Sequence, residues 1–232
     1  MASVSIKSKD TGEYIDKSLG QVVLSAEMLL EDIVRNTGCN VYYAYLGGYN
    51  NFRKAIYPDY KANRKNYIKP KFFDTLKSIL INQFGFIQVD GMEADDAINI
   101  HRHLPDLSYN TIIVSPDKDM LKLEGHHYDP KHRVFVNTGE EEALLYFWTS
   151  MITGDAADNI KGIPGKGAAY AKLNLSIGAS IPLEAQVLGL YIKNLGEYIG
   201  IQEFYKNYMC LKLQHFNQNF VIKPPSYLNI FY

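Results

Sequence analysis

Apolar residues between Gln21 and Asn36 recur at helical spacing, with Val22, Leu29, Leu30 and Ile33 on one face. Gly38 follows as a stop signal, so the pattern predicts an amphipathic helix. The period then changes. Asn40 to Leu46 (NVYYAYL) is rich in β-branched and aromatic residues and reads as a strand closed by Gly47 and Gly48. A polar stretch broken by Pro58 and Pro70 reads as a loop. A second helix is expected over Lys71 to Phe84, with Phe72, Leu76, Ile79 and Leu80 on one face. A short strand over Phe86 to Val89 and a helix over Asp95 to His103 come next. Asn110 to Val114 is a short continuous apolar run, as in a strand covered on both faces. Arg133 to Val136 is a further candidate strand, and Glu140 to Ile152 a helix carrying Leu144, Leu145, Phe147 and Trp148, the last a core residue. His126 and His127 read as loop residues rather than ligands.

Strands alternating with helices predict an α/β fold with a mainly parallel sheet flanked by helices. Beyond residue 146 the pattern is mostly helical. The expected organisation is therefore an α/β core over residues 1–145 and a helical part over 146–232, packed as one unit.

Composition excludes several alternatives. Of 232 residues, 47% are hydrophobic and 21% charged, and the net charge is −1, which is not the signature of a disordered chain. Cys39 and Cys210 make no disulfide framework, so a reducing compartment, the cytoplasm, is expected. The start of the chain lacks the apolar run of a signal peptide, and no apolar stretch is long enough to span a membrane.

The near-zero total hides local charge. From Arg53 to Lys77, eight basic residues (Arg53, Lys54, Lys61, Arg64, Lys65, Lys69, Lys71 and Lys77) face only Asp59 and Asp74. Such a run suits phosphates through counterion release. The interleaved Tyr57, Tyr60 and Tyr67 suit stacking on unpaired bases. A solvated charged face is the plainer alternative.

Acids gather in three places: Glu93, Asp95 and Asp96; Asp117 and Asp119 just past a strand; and Asp155 and Asp158 in GDAADN. Open α/β sheets bind ligands outside the carboxyl ends of their strands. Carboxylates so dense repel one another, and burial raises their pKa, so a cation is needed. Hard oxygen donors select Mg²⁺, Mn²⁺ or Ca²⁺. Two such ions can activate water and stabilise the leaving oxygen of a phosphodiester. Each acid taken singly also has an ordinary reading, as a helix cap or a first-turn acid.

After the third cluster comes Gly162-Ile163-Pro164-Gly165-Lys166-Gly167. Its glycines permit a tight turn, and backbone N–H groups at a following helix could hold a phosphate. A nucleotide-binding P-loop is excluded because Gly167, not Ser or Thr, follows Lys166. The reading is a sequence-independent clamp on a nucleic-acid backbone, with a plain structural turn as the alternative.

Taken in order, Tyr60-Lys61-Ala62-Asn63-Arg64, Glu93-Ala94-Asp95-Asp96, Ser115-Pro116-Asp117-Lys118-Asp119 and Gly154 to Asn159 followed by Gly162 to Gly167 resemble the flap-endonuclease superfamily of 5′-nucleases. The length and the tail from His215 to Tyr232 resemble its small phage 5′→3′ exonucleases most. The resemblance implies a metal-dependent nuclease acting on 5′ ends or flaps of duplex DNA, with RNA–DNA hybrid as a further substrate, working as a monomer. It implies two Mg²⁺ ions, replaceable by Mn²⁺, with Glu93, Asp95, Asp96, Asp117 and Asp119 at one and Asp155 and Asp158 at the other. Lys61 and Arg64 would act on the scissile and a neighbouring phosphate, and Tyr60 would stack on a terminal base. Lys65, Gly162, Gly165, Lys166 and Gly167 would contact DNA, the glycines within a helix–three-turn–helix that often holds K⁺.

Two positions depart from the family pattern. Its first apolar strand, ending in a metal-binding Asp, has no counterpart before Gln21, where Asp10 and Asp16 are the nearest acids. Gly47-Gly48 also stand where the family carries an acid. A shortened reading frame, a strand supplied by another chain and a degenerate enzyme each fit that departure. The rival functions are a DNA-junction binding module without catalysis and a single-strand ribonuclease, and the duplex-type glycine clamp argues against the latter.

Overall fold

A computed structural model describes residues 5–7, 14–64, 69–104 and 111–215. A short antiparallel hairpin, β1 (Ser5–Lys7) with β2 (Tyr14–Asp16), precedes the first helix. It joins neither of the larger sheets.

Helix α1 (Leu19–Thr37) starts at a capping box, in which the Ser18 hydroxyl accepts from the Gln21 N–H and the Gln21 side chain accepts from the Ser18 N–H. It ends at Gly38, whose φ of 67° is the left-handed cap that glycine adopts most easily. Strand β3 (Tyr45–Asn51) pairs in parallel with β4 (Ile87–Gly91). Between them lie α2 (Arg53–Ile56), a 3-10 turn over Ala62–Arg64 and α3 (Phe73–Phe84). The basic segment is thus not a plain loop.

The expected strand Asn40–Leu46 is displaced, because among the described residues Asn40 to Tyr43 pair with no strand, and Ala44 only accepts from the Ile87 N–H. Pairing begins at Tyr45 opposite Ile87 and runs past Gly47-Gly48, where the register shifts. The glycines lie within the strand instead of closing it. A Cβ on Gly48 would fall 2.2 Å from the Val89 carbonyl oxygen, so only glycine fits that close approach.

Helix α4 (Ala94–Arg102) follows β4 directly. Strand β5 (Ile112–Val114) pairs in parallel with β6 (Gly125–Asp129), which turns back antiparallel onto β7 (Val134–Thr138). His126 and His127 are therefore strand residues, correcting the loop reading. His127 is buried, with Nε2 bonded to the Leu123 carbonyl, and Tyr128 is buried beside it, while His126 is exposed.

Helix α5 (Glu140–Thr153) opens with three acids in its first turn, matching the helix dipole. A two-residue ladder, β8 (Gly154–Asp155) with β9 (Ile160–Lys161), leads to α6 (Ala168–Asn174), α7 (Leu183–Leu195) and α8 (Glu197–Leu211). The main core lies here. Trp148, Met151, Ile152, Ile163, Val187, Tyr191 and Phe204 form one buried cluster that also takes in Tyr60.

The mainly parallel sheet is present in two halves, β3–β4 and β5–β6–β7. Among the described residues no hydrogen-bonded strand joins β3 to β5. A cavity of about 570 Å³ separates them, walled by α1 (Leu30, Ile33) on one side, α4 (Ile98) on the other, and the edges of β3 (Tyr45) and β5 (Ile112). It has the place of a strand in a layered α/β/α fold.

Candidate functional site

Strands β4 and β5 deliver their acids at their carboxyl ends. Glu93 caps α4, with Asp95 and Asp96 in its first turn. Asp117 caps the 3-10 turn Lys118–Lys122 through the Asp119 N–H, at 3.0 Å. The α5–β8 junction adds Asp155, whose Oδ1 accepts from the Ala157 and Asp158 N–H groups.

These segments interact electrostatically. Burial, then Asp117 and Glu93, push the Asp95 carboxyl up to about 6. Burial, then Asp119 and Asp158, push Asp155 up. One group therefore links Glu93, Asp95 and Asp117, and another links Asp119, Asp155 and Asp158.

Cations sit among them. The Lys61 ammonium bonds Glu93 and lies 3.4 Å from Asp158. Its backbone has φ 57°, a left-handed conformation that is costly for lysine, and its N–H donates to the Asp158 carbonyl. Arg64, half exposed, places Nη2 2.9 Å from Asp158 Oδ1.

Some expected residues take other places. Tyr60 is 2% exposed, and its hydroxyl lies 2.9 Å from Glu93 Oε2 and 2.7 Å from Asp158 Oδ2, so the two carboxylates share its one donor hydrogen. Burial, then both acids, raise its pKa. This corrects the stacking role: a ring inside the core cannot meet a base, and Tyr57 is partly buried against the same cluster. Arg53, counted in the basic run, is 1% exposed and paired to Asp96. Burial would lower its pKa, but Asp96 overrides that and holds it charged. Lys65 and Tyr67 lie outside the described residues, as do Asp10 and the tail beyond His215.

The hairpin glycines have local reasons. A Cβ on Gly162 would lie 2.2 Å from the Ile152 carbonyl oxygen, so Gly162 serves packing against the end of α5. Gly165 has φ 71°, Gly167 caps α6, and the Lys166 ammonium lies 4.6 Å from the Tyr170 ring centroid.

Two neighbours of the acids have no signal in the sequence. Lys122, its side chain 5% exposed, pairs with Asp119 at 3.1 Å. Tyr146 on α5 has its pKa raised by burial and then by Asp119, Asp117 and Asp155.

The donor set fits a divalent cation in kind, being all oxygen and short of positive charge around Asp95 and Asp155. Among the described residues no three His, Cys, Asp or Glu side chains close into a ready ligand shell. Among the described residues no helix is long and apolar enough to cross a membrane.

Comparison with known proteins gives a consistent set. The chain is 30% identical over 132 residues to DNA polymerase I of Borreliella burgdorferi, covering 50% of this chain and 14% of that protein. It is 26% identical over 160 residues to the exodeoxyribonuclease of Enterobacteria phage T3, covering 61% of this chain and 51% of that one. The chain thus spans about half the length of the phage exonuclease and far less of the polymerase. The crystal structure of the T5 D15 protein co-crystallised with metal ions aligns with a TM-score of 0.62 at 18% identity, over 82% of this chain and 81% of that one. It shows the same fold. The model of the family "5'-3' exonuclease, N-terminal resolvase-like domain" matches residues 9–144, more than half the chain, and the chain belongs to that family.

Proposed function

We propose that this chain is a metal-dependent 5′→3′ exonuclease with flap-type structure-specific activity, hydrolysing phosphodiesters at 5′ ends of duplex DNA. The observation that carries it is that acids from three distant segments approach one another, Asp95 with Glu93 and Asp117 and Asp155 with Asp119 and Asp158, while Lys61 reaches both Glu93 and Asp158 and Arg64 reaches Asp158. The phage T3 relative is named an exodeoxyribonuclease, and a T5 D15 flap endonuclease structure is a complex with DNA and metal ions.

Glu93, Asp95, Asp117 and Asp119 would hold one Mg²⁺, and Asp155 and Asp158 a second; Mn²⁺ substitutes. Divalent ions held there would supply an activated water and charge stabilisation at the leaving oxygen. Lys61, already among the acids, exchanges a carboxylate for the scissile phosphate and neutralises its growing charge. Arg64 holds a neighbouring phosphate with its planar fork. Lys65 and the Gly165–Gly167 turn contact the duplex backbone without reading sequence, and K⁺ binds at this hairpin. The unit is an α/β part (1–145) and a helical part (146–232), monomeric and cytoplasmic, and RNA–DNA hybrid is a second substrate.

A second reading has its own observation. Among the described residues β3–β4 and β5–β6–β7 are separate sheets, and Gly47-Gly48 stand where the resemblance leads one to expect an acid. A chain so altered would bind DNA junctions, in a salt-dependent way, without cutting. Release of nucleotides from a 5′-labelled duplex, with and without Mg²⁺, separates the two. The nuclease reading expects metal-dependent release that Asp117→Ala abolishes. Full activity in Asp117→Ala would refute it, and binding without release would leave the junction binder.

A further inference from the structure

We propose that Arg53 and Asp96 form a positioning pair that sets Glu93 and straps the segment after α8 across the site, Asp96 being no metal ligand. The inference rests on the nuclease reading and refines its ligand set.

Asp96 is fully buried, and both its oxygens are committed. Oδ2 accepts from Arg53 Nη1 at 2.5 Å and from the Glu93 N–H at 3.0 Å. Oδ1 accepts from Arg53 Nη2 at 2.8 Å and from the Gln214 N–H at 3.0 Å. A carboxylate offers about four lone-pair positions, and four donors fill them. A metal ion could enter only by leaving a buried N–H or guanidinium unpaired, which is costly in a dry site.

The same guanidinium reaches further. Arg53 Nε donates to the Cys210 carbonyl at 2.7 Å and Nη2 to the Lys212 carbonyl at 3.0 Å. Asn99, on α4, donates to the Gln214 carbonyl at 2.8 Å. The segment from Cys210 to Gln214 is thereby tied to α2 and to the start of α4. At the other end the pair bears on Glu93. Asp96 holds the Glu93 N–H, and Arg53 Nη1 lies 3.9 Å from Glu93 Oε2. Tyr60, packed on the helical core, places its hydroxyl 2.9 Å from that same oxygen. Burial of the whole arrangement makes it rigid, and a fork-to-fork contact has one good geometry. Arg53 therefore orients a carboxylate that Lys61 and the metal are to share.

The test measures Mn²⁺ binding, from the free-ion electron paramagnetic resonance signal, and amide hydrogen exchange at Glu93 and Gln214. Variants are Asp96→Asn, Arg53→Lys and the double variant. A positioning pair predicts that both single variants weaken Mn²⁺ binding, by about tenfold, the size usual for groups that orient ligands. The double variant then loses no more than either single one. Exchange at Glu93 and Gln214 speeds up in every variant and stays unchanged in Asp117→Asn.

A direct-ligand role predicts instead that Arg53→Lys leaves Mn²⁺ affinity intact or raises it, because it frees Asp96. That result overturns the proposal. If Asp96→Asn fails to fold, Arg53→Lys carries the decision by itself. If the unaltered protein neither binds Mn²⁺ nor cuts duplex, the nuclease reading falls, and exchange at the two amides still judges the pair. If it cuts and the amide exchange is unmoved, the pair alone is refuted.

Discussion

The helical region and the sheet region of this chain bury apolar surface with unequal success. Around α5, α7 and α8, Met151, Ile152, Val187, Tyr191 and Phe204 are fully buried in one cluster, with aromatic rings of Trp148, Phe204 and Tyr208 stacked or tilted against one another. The sheet region has a small cluster of Ile113, Met120 and Leu123. Its strands leave Ile87, Val134 and Phe135 exposed, Val41 and Tyr43 are exposed just before β3, and a cavity of about 570 Å³ lies between its two halves. The acids belong to both regions: Glu93, Asp95, Asp117 and Asp119 hang from the sheet, and Asp155 and Asp158 from the helical side. A well-packed region thus supports half of the site, and a divided one supports the other half. Tyr60, in the helical core, and the Arg53–Asp96 pair bridge the two.

The largest difference should come from truncating one core residue on each side. Phe204→Ala should cost about 3–5 kcal/mol, the usual loss for a buried aromatic. Ile113→Ala should cost about 2 kcal/mol, the low end for its type, because a side chain lining a void has fewer contacts to lose. Urea unfolding of both variants checks this, and equal losses would mean that the cavity is filled in solution.

Next comes charge in the sheet half. Asp95 has a folded pKa of about 6, above its unfolded value of 3.8. The folded state then binds the extra proton between those values, so this group favours the metal-free fold less as pH rises from 4 to 6. Asp95→Asn should raise the melting temperature of metal-free protein at pH 7, by at most about 3 kcal/mol equivalent. The gain should vanish near pH 4. Added Mg²⁺ should stabilise the original protein and not the variant. A melting series across pH with EDTA or Mg²⁺ reads all three effects.

The smallest effects compare overpacking with filling. Ala171 is fully buried in the helical core, and Ala171→Val should destabilise by about 1–3 kcal/mol. Ala44 lines the cavity, and Ala44→Val should stabilise by about 0.5 kcal/mol. A loss at Ala44 of the same size as at Ala171 would show that both regions are packed alike.

Much of the site was legible because its chemistry is local in sequence. Glu93-Ala94-Asp95-Asp96 and Asp117-Lys118-Asp119 each lie just past an apolar strand, where an α/β fold presents ligand groups. The helices at Gln21, Lys71 and Glu140 were legible from their period, since each packs one stripe of its own surface. The shifted start of β3 was not, because Val41-Tyr42-Tyr43 has strand-forming residues but pairs with no strand among the described residues. Tyr60 was misread for a related reason. A tyrosine between basic residues looks exposed, and only its partners Glu93 and Asp158, 33 and 98 residues away, make it a buried donor. Arg53 left one trace: it stands three and four residues before Ile56 and Tyr57, which pack on the core, so helical spacing puts it near that face.

The sequence by itself determined the alternation of strands and helices and the kinds of donor at the site, because these follow from period, residue chemistry and chain order. Only the tertiary structure decided which charges face water and which face one another. Arg53 and Lys54 are adjacent and chemically alike, yet one is buried against Asp96 and the other exposed. The difference is set by segments about 40 to 160 residues away, at Asp96 and Cys210 to Gln214, whose approach no local pattern encodes.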